Sequence, residues 1–448
     1  MRATPGTTAS ATGGGAWEWA RAWRWGESSS FVSTPPDERT STRWEMRRSG
    51  TFSSVGISEA MACKERRGAV IRLPGFARAL VIASMTPIAL TAGCAGKVFY
   101  LPSLIQSGDY GTRSEARSWA GVEPPLRLLW QHKVDSYPLG EALFAGPLLL
   151  QLTTSPKLHA FDRYNGGRLG RQGVSEGVCA PPRLVGSSGA LLILAEAGEG
   201  KPILRAMNRQ TRKTEWTFVG AVCAPVAARN DTVIVPLETG GLVALAAADG
   251  SELWRAETVA GLVAGPTLSG DTVFAGDLKG NLAAVSLLDG SEIWSAQMGA
   301  SVRSQPLVDG GRVFASTGSG VTQAFDVQTG EALWQRPLGA LLTPGLALAD
   351  SVLIVGSSDR VLYALDVEQG GIVWQFETRG AIRGAPAATA ETVYTGSCDG
   401  FVYAVNVKTG ELKWKFRLDG PVTQSVTLDQ RAMSVTTDAG TVYLFGKG

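Results

Sequence analysis

From about residue 125 onward, apolar residues come in runs of four to seven, each broken by Gly, Asp, Asn or Ser. Residues 335–374 show the pattern: QRPLGALLTPGLALADSVLIVGSSDRVLYALDVEQGGIVW. The runs LALA, SVLIVG, VLYALDV and GIVW are rich in Val, Leu, Ile and Tyr, and are separated by AD, SSDR and EQGG. They are too short for helices and are bounded by turn formers, so they predict four strands per unit. The unit recurs. Trp254, Trp294, Trp334, Trp374 and Trp414 are evenly spaced, and Gly250, Gly290, Gly330, Gly370 and Gly410 each stand four residues before one of them. A third comb is Gly240, Gly280, Gly320, Gly400 and Gly440, with Arg360 in the place of the missing member. Asp-Gly and Thr-Gly pairs supply the positive-φ position of a tight hairpin, which Gly takes without steric cost. Arg360 is expected to bear that cost.

Four strands in a unit of this length predict a propeller blade, which cannot bury its apolar faces without neighbours. Upstream, TEW ends at Trp216, and KLHAFDRYNGGRLG is a degraded unit with Gly170 at the Trp position. The last unit, ending TVYLFGKG, has three strands, and RLLWQHKV around Trp130 is available to supply the fourth. Eight Trp-position strands result: Trp130, Gly170, Trp216, Trp254, Trp294, Trp334, Trp374 and Trp414. The fold class expected is all-β: an eight-bladed propeller over 124–448, closed by an N-terminal strand so that no sheet edge is left open at the join. Each Trp is expected to fill the wedge between blades.

What precedes the ring is different in kind. Lys64, Arg66, Arg67, Arg72 and Arg78 form a basic leader, followed by an uncharged apolar stretch from Ala79 to Ala92. That stretch is short for a bilayer span and suits a signal-peptide core, so 61–93 reads as a signal peptide. Leu90-Thr91-Ala92-Gly93-Cys94 resembles the lipobox of bacterial lipoproteins. In that family the cysteine is lipidated and becomes the mature N-terminus, which makes Cys94 the lipidation candidate. An ordinary signal peptide or an uncleaved anchor are the alternatives. Ala95, where inner-membrane retention favours Asp, points to the outer membrane. Residues 1–60 read as a mis-assigned or disordered extension with Met61 as the working start, and 94–123 as a Gly-, Ser- and Pro-punctuated tether.

Charge and candidate chemistry narrow the function. Residues 1–93 carry 12 of the 42 basic and 7 of the 40 acidic residues, so the remainder is near −3 with no basic stripe, which argues against nucleic acid. Cys179 and Cys223, in GVCAPP and AVCAPV, share a register in consecutive repeats. They are a candidate disulfide in an oxidising envelope, or two small buried side chains. Cys398, in GSCDG, reads as a small residue beside a turn. His132 and His159 belong to no cluster of metal-ligand spacing, and no GxSxG, Walker or HExxH motif appears. No catalytic residue, metal or cofactor is assigned. Asp326 and Asp366 recur at one turn position and are expected to cap backbone N–H groups. Nine residues after the blade Trp come Val263, Arg303, Thr343, Arg383 and Thr423. Arg303 and Arg383 are therefore candidates to grip an acidic partner at the channel rim.

The units VLYALDVEQGGIVW, FVYAVNVKTGELKW and LVALAAADGSELW resemble the PQQ-type propeller repeat across about 125–448. A short lipoprotein of one eight-bladed ring looks like the BamB family of outer-membrane assembly factors. That resemblance implies a non-catalytic scaffold, facing the periplasm and docking on BamA-type assembly machinery. The alternatives are another envelope propeller binding protein, peptide or glycan, or a PQQ-dependent dehydrogenase. The dehydrogenases carry vicinal cysteines and a calcium site, and this chain has no Cys-Cys pair.

Overall fold

The computed structural model describes residues 122–447 except 175–177, 179, 186–190, 197–201, 210, 221, 223, 230, 258–259 and 263. Cys94, Cys179 and Cys223 lie outside the described residues, as do the signal peptide and the tether up to residue 121. The described chain is all-β: thirty-two strands make eight four-stranded antiparallel sheets, the blades of one propeller. Blades 1–7 each use four consecutive strands, beginning with Leu143–Ala145, Leu148–Thr153, Lys157–Asp162 and Arg168–Gly173 in blade 1. Blade 8 joins Thr427–Leu428, Ala432–Thr436 and Thr441–Gly446 to the N-terminal strand Arg127–Lys133 as its outermost member. Trp130 pairs with Leu444, and Lys133 with Thr441. The ring closes through both ends of the chain, as the sequence predicts.

The two forty-residue combs have one physical cause. Each Trp lies on the outermost strand of one blade, and each turn Gly belongs to the next blade. A Cβ on Gly290 would come 2.5 Å from Cε3 of Trp254, and one on Gly330 2.6 Å from Cδ2 of Trp294. The same holds for Gly166 over Trp130, Gly250 over Trp216, Gly370 over Trp334 and Gly410 over Trp374. The indole N–H then donates to a carbonyl of that next blade. Trp254 bonds Leu287 at 2.8 Å, Trp294 bonds Val327 at 3.0 Å and Trp334 bonds Val367 at 3.0 Å. Opposite the Trp, on the adjacent strand of its own sheet, stands an alanine: Ala206, Ala244, Ala284, Ala324, Ala364 and Ala404, all fully buried. The small residue leaves the indole room to lie across its own sheet while it reaches the neighbour. Each seam thus combines a large buried aromatic area with a satisfied indole donor.

Two seams depart from this. Gly170 holds the Trp position of blade 1, paired with Ala160, and the matching turn position in blade 2 is Arg212 rather than Gly. Loss of the indole and loss of the glycine beneath it occur together. The seam is filled instead by aliphatic side chains of blades 1 and 2, among them Leu150, Leu158, Leu192 and Met207, with Gln172 Nε2 3.2 Å from Met207 Sδ at its border. At the other departure, Trp414 of blade 7 stacks edge-on against Phe445 of blade 8 at 5.5 Å. There the incoming segment Val122–Leu126 stands in for the missing turn, with Val122 and Leu126 buried in the blade 7–8 core.

Candidate partner-binding face

Antiparallel strands send two sets of connections to each side of the ring. One side carries the turn between second and third strands of every blade, together with the loop that enters the next blade. The two are stitched to each other: Gly318 N donates to Ser301 O, Ser358 N to Leu341 O, Cys398 N to Ala381 O and Asp438 N to Pro421 O, all within 2.8–2.9 Å. Such loops, fixed by rigid sheets, are where binding groups can be displayed without losing their geometry.

Arg303 and Arg383 are both on this face and both exposed. Neither is on an innermost strand. Each lies in the loop that leads into one, before Leu307–Asp309 of blade 5 and before Ala387–Ala388 of blade 7. Arg303 lies over Gly318 with its Nε 3.4 Å from Ser301 Oγ. Its loop is anchored two residues on by Gln305, whose N–H bonds Pro344 O of blade 6 at 2.9 Å and whose side chain bonds Pro266 O of blade 4 at 3.2 Å. No bond among the described residues joins the two arginines, which blade 6 separates. Thr343, in the same register, is buried and donates to Gly345 O at 2.9 Å, so it offers nothing to a partner.

Arg383 does belong to a group. Its charge acts on Tyr137 and on Cys398. Burial, with a hydrogen bond to Asp438, pushes the Tyr137 hydroxyl up to about 12. Thr423 donates to Asp438 at 2.5 Å, and burial raises the Cys398 thiol. Five polar side chains from blades 7, 8 and 1 therefore meet at one mouth. The sequence reading found Arg383, Thr423 and Cys398 but not Tyr137 and Asp438. Tyr137 follows Trp130 by seven residues rather than nine, so it is out of register with the comb.

A second group sits at the closure. Asp135 accepts from Lys157 Nζ at 2.5 Å, His159 Nε2 at 2.9 Å and Ser155 Oγ at 3.2 Å, with Arg171 NH1 at 3.5 Å. Burial alone raises the Asp135 carboxyl, but the bonds and charges of Lys157 and His159 outweigh it and hold the group at about 2. Burial lowers His159. Asp135 and His159 are brought together by ring closure, which no local spacing reveals. His132 stacks on Phe161 at 5.4 Å between blades 8 and 1. Asp326 and Asp366 cap turns as predicted, each accepting two backbone N–H groups at 2.8–3.0 Å. Among the described residues, no three His, Cys, Asp or Glu side chains converge as metal ligands would.

The ring is built of Trp-clamped blades, and its likeness to known proteins follows the same pattern. The family model described as outer membrane protein assembly factor BamB matches residues 123–261, 238–341 and 320–448. The chain belongs to this family. Among solved structures, BamB from Moraxella catarrhalis is similar at 18% identity with a TM-score of 0.60, covering 72% of this chain and 100% of that one. Quinohemoprotein alcohol dehydrogenase ADHIIG from Pseudomonas putida HK5 is similar at 12% identity and a TM-score of 0.58, over 72% of this chain and 76% of that one. A europium-containing methanol dehydrogenase is similar at 12% and 0.62, over 74% and 96%. At these identities the likeness is one of fold. No curated protein matches the sequence.

Proposed function

We propose that the protein is a non-catalytic scaffold of the bacterial envelope, lipid-anchored at Cys94 and facing the periplasm. It binds a protein partner in outer-membrane β-barrel assembly through the loop face that carries Arg303 and Arg383. The observation that carries this reading is the family match over the whole ring, 123–448, on a chain whose described residues form that ring alone. The loop face supports it, because blades 5 to 8 present stitched loops in fixed geometry, and the two exposed arginines suit acidic groups on a partner.

The experiment is recovery of envelope partners on the full-length protein and on Arg303→Ala/Arg383→Ala. Partner yield is expected to fall severalfold in the double variant while its thermal unfolding is unchanged. Equal recovery would remove the two arginines from the interface. The dehydrogenase reading is kept in view by the quinoprotein neighbours. It is tested by incubating the purified protein with PQQ and calcium and assaying alcohol and sugar oxidation. Stoichiometric cofactor binding with turnover would overturn the scaffold reading.

A further inference from the structure

The outer wall of the ring is electrically lopsided. The outermost strands of blades 7, 8 and 1 are Leu412–Arg417, Arg127–Lys133 and Arg168–Gly173. Between them they carry seven Lys or Arg and no Asp or Glu. The outermost strands of the other five blades carry two cations, Arg255 and Arg336, and four acids, Glu215, Glu252, Glu292 and Glu377. The chain's small net charge hides this, because the excess is confined to one sector. Arg127, Lys133, Arg168, Arg171, Lys415 and Arg417 are all exposed.

Most of the acids nearby are engaged elsewhere, and the exposed Glu411, at the edge of the wall, accepts from Thr409. Glu123 accepts from Lys413 at 3.0 Å and from Thr389 and Thr392. Asp135 is held by Lys157 and His159, and Asp429 by Arg163. Between the cations the wall exposes aliphatic side chains, Leu128, Leu129 and Leu412. Cations flanking exposed aliphatics are the composition of a surface that rests on charged headgroups.

The same sector is where the chain arrives. Val122 O accepts from Tyr394 of blade 7, and Glu123 is fastened to blade 7 beside the first residue of the closing strand. Thr389 and Thr392 form the turn between the first two strands of blade 7, so Val122 sits between blades 7 and 8 on the side of the ring opposite the loop face. Cys94 is 28 residues upstream of Val122.

We propose that the outer wall of blades 7, 8 and 1 docks edge-on against an anionic phospholipid surface. The inference goes beyond the scaffold reading, since the wall binds lipid whether or not a partner occupies the loop face or Cys94 is acylated. Docking edge-on leaves the loop face, with Arg303 and Arg383, open to a partner.

The test uses the full chain with Cys94→Ser, so that no acyl group contributes, sedimented with phosphatidylglycerol-rich or pure phosphatidylcholine vesicles. The readout is the difference between the parent and each triple variant on phosphatidylglycerol, because the basic leader, Lys64 to Arg78, is the same in all three. The triple variant Arg127→Glu/Lys415→Glu/Arg417→Glu is expected to lose about a hundredfold, at roughly fivefold per basic group near an anionic surface. Arg229→Glu/Arg255→Glu/Lys279→Glu changes net charge equally on blades 3 and 4 and is expected to bind like the parent. If the wall variant fails to fold, Arg127→Gln/Lys415→Gln/Arg417→Gln replaces it, and the loss it causes must shrink as salt rises. Equal binding to both vesicle types, equal losses in the two triple variants, or salt-insensitive binding would overturn the proposal. So would undiminished vesicle binding by a wall variant that has lost an acidic envelope protein, which would assign the wall to that protein.

Discussion

Glycine and tryptophan at the seams set each other's identity. Gly290 has φ 73° and sits under the Trp254 ring, so it is required twice over, by conformation and by space. Gly290→Ala is expected to lower stability by about 1–2 kcal/mol from the left-handed backbone alone, and further through the displaced indole. Chemical denaturation checks it, and an unchanged midpoint would contradict the clamp. Arg360 shows the reverse case. It holds φ 78° where its comb otherwise has glycine, so Arg360→Gly relieves the strain, although part of the gain returns as extra entropy of the unfolded chain. A net gain of about 0.5–1 kcal/mol is expected, and a loss would show that the arginine side chain compensates by contacts. These positions were legible in the sequence because glycine and tryptophan are rare and conspicuous at a fixed spacing. The alanines facing each Trp obey the same geometry yet pass unnoticed, since alanine is common in any apolar strand.

At the scale of the strand, the closing element Arg127–Lys133 is held by more than its ladder. Trp130 Nε1 bonds Arg163 O of blade 1 at 3.1 Å, Val134 N bonds Gly440 O at 2.7 Å, and Asp135 gathers Lys157, His159 and Arg171. The Asp135 carboxyl is depressed from an ordinary 3.8 to about 2. Its contribution is therefore fully present above pH 3.8 and lost as pH falls towards 2. Asp135→Asn is expected to cost about 1 kcal/mol or less at neutral pH, because the pairs are partly solvated. The variant should also lose stability less steeply than the parent between about pH 4 and 2. Parallel slopes in thermal unfolding would remove Asp135 from the closure. The strand itself was foreseen, since a three-stranded final unit and a stray Trp-bearing strand at the other end demand each other. The Asp135–His159 contact was not, because its partners lie 24 residues apart and meet across the join between blades 8 and 1.

For the whole molecule, repetition made architecture readable and left function obscure. Blade number follows from counting Trp positions, whereas the polar mouth of Arg383, Tyr137, Thr423 and Asp438 arises where non-repeated loops of three blades meet. A ring also carries a cost that a linear array does not, since its first and last segments must find each other before the final seam can form. Deleting residues 124–135 removes the outermost strand of blade 8, the indole that Gly166 covers and the Asp135 anchor in one step. It bares the edge of Thr441–Gly446, whose Tyr443, Leu444 and Phe445 are buried in the closed ring. Burying one large aromatic and its neighbours contributes several kcal/mol, a sizeable part of an ordinary domain's net stability. The expected outcome is a large drop in the unfolding midpoint, with aggregation through the exposed strand, rather than loss of a single frayed blade. Hydrogen exchange distinguishes the two. Faster exchange in blades 1 and 7 as well as 8 supports a cooperative ring, and a change confined to blade 8 would mean that each blade stands on its own two seams.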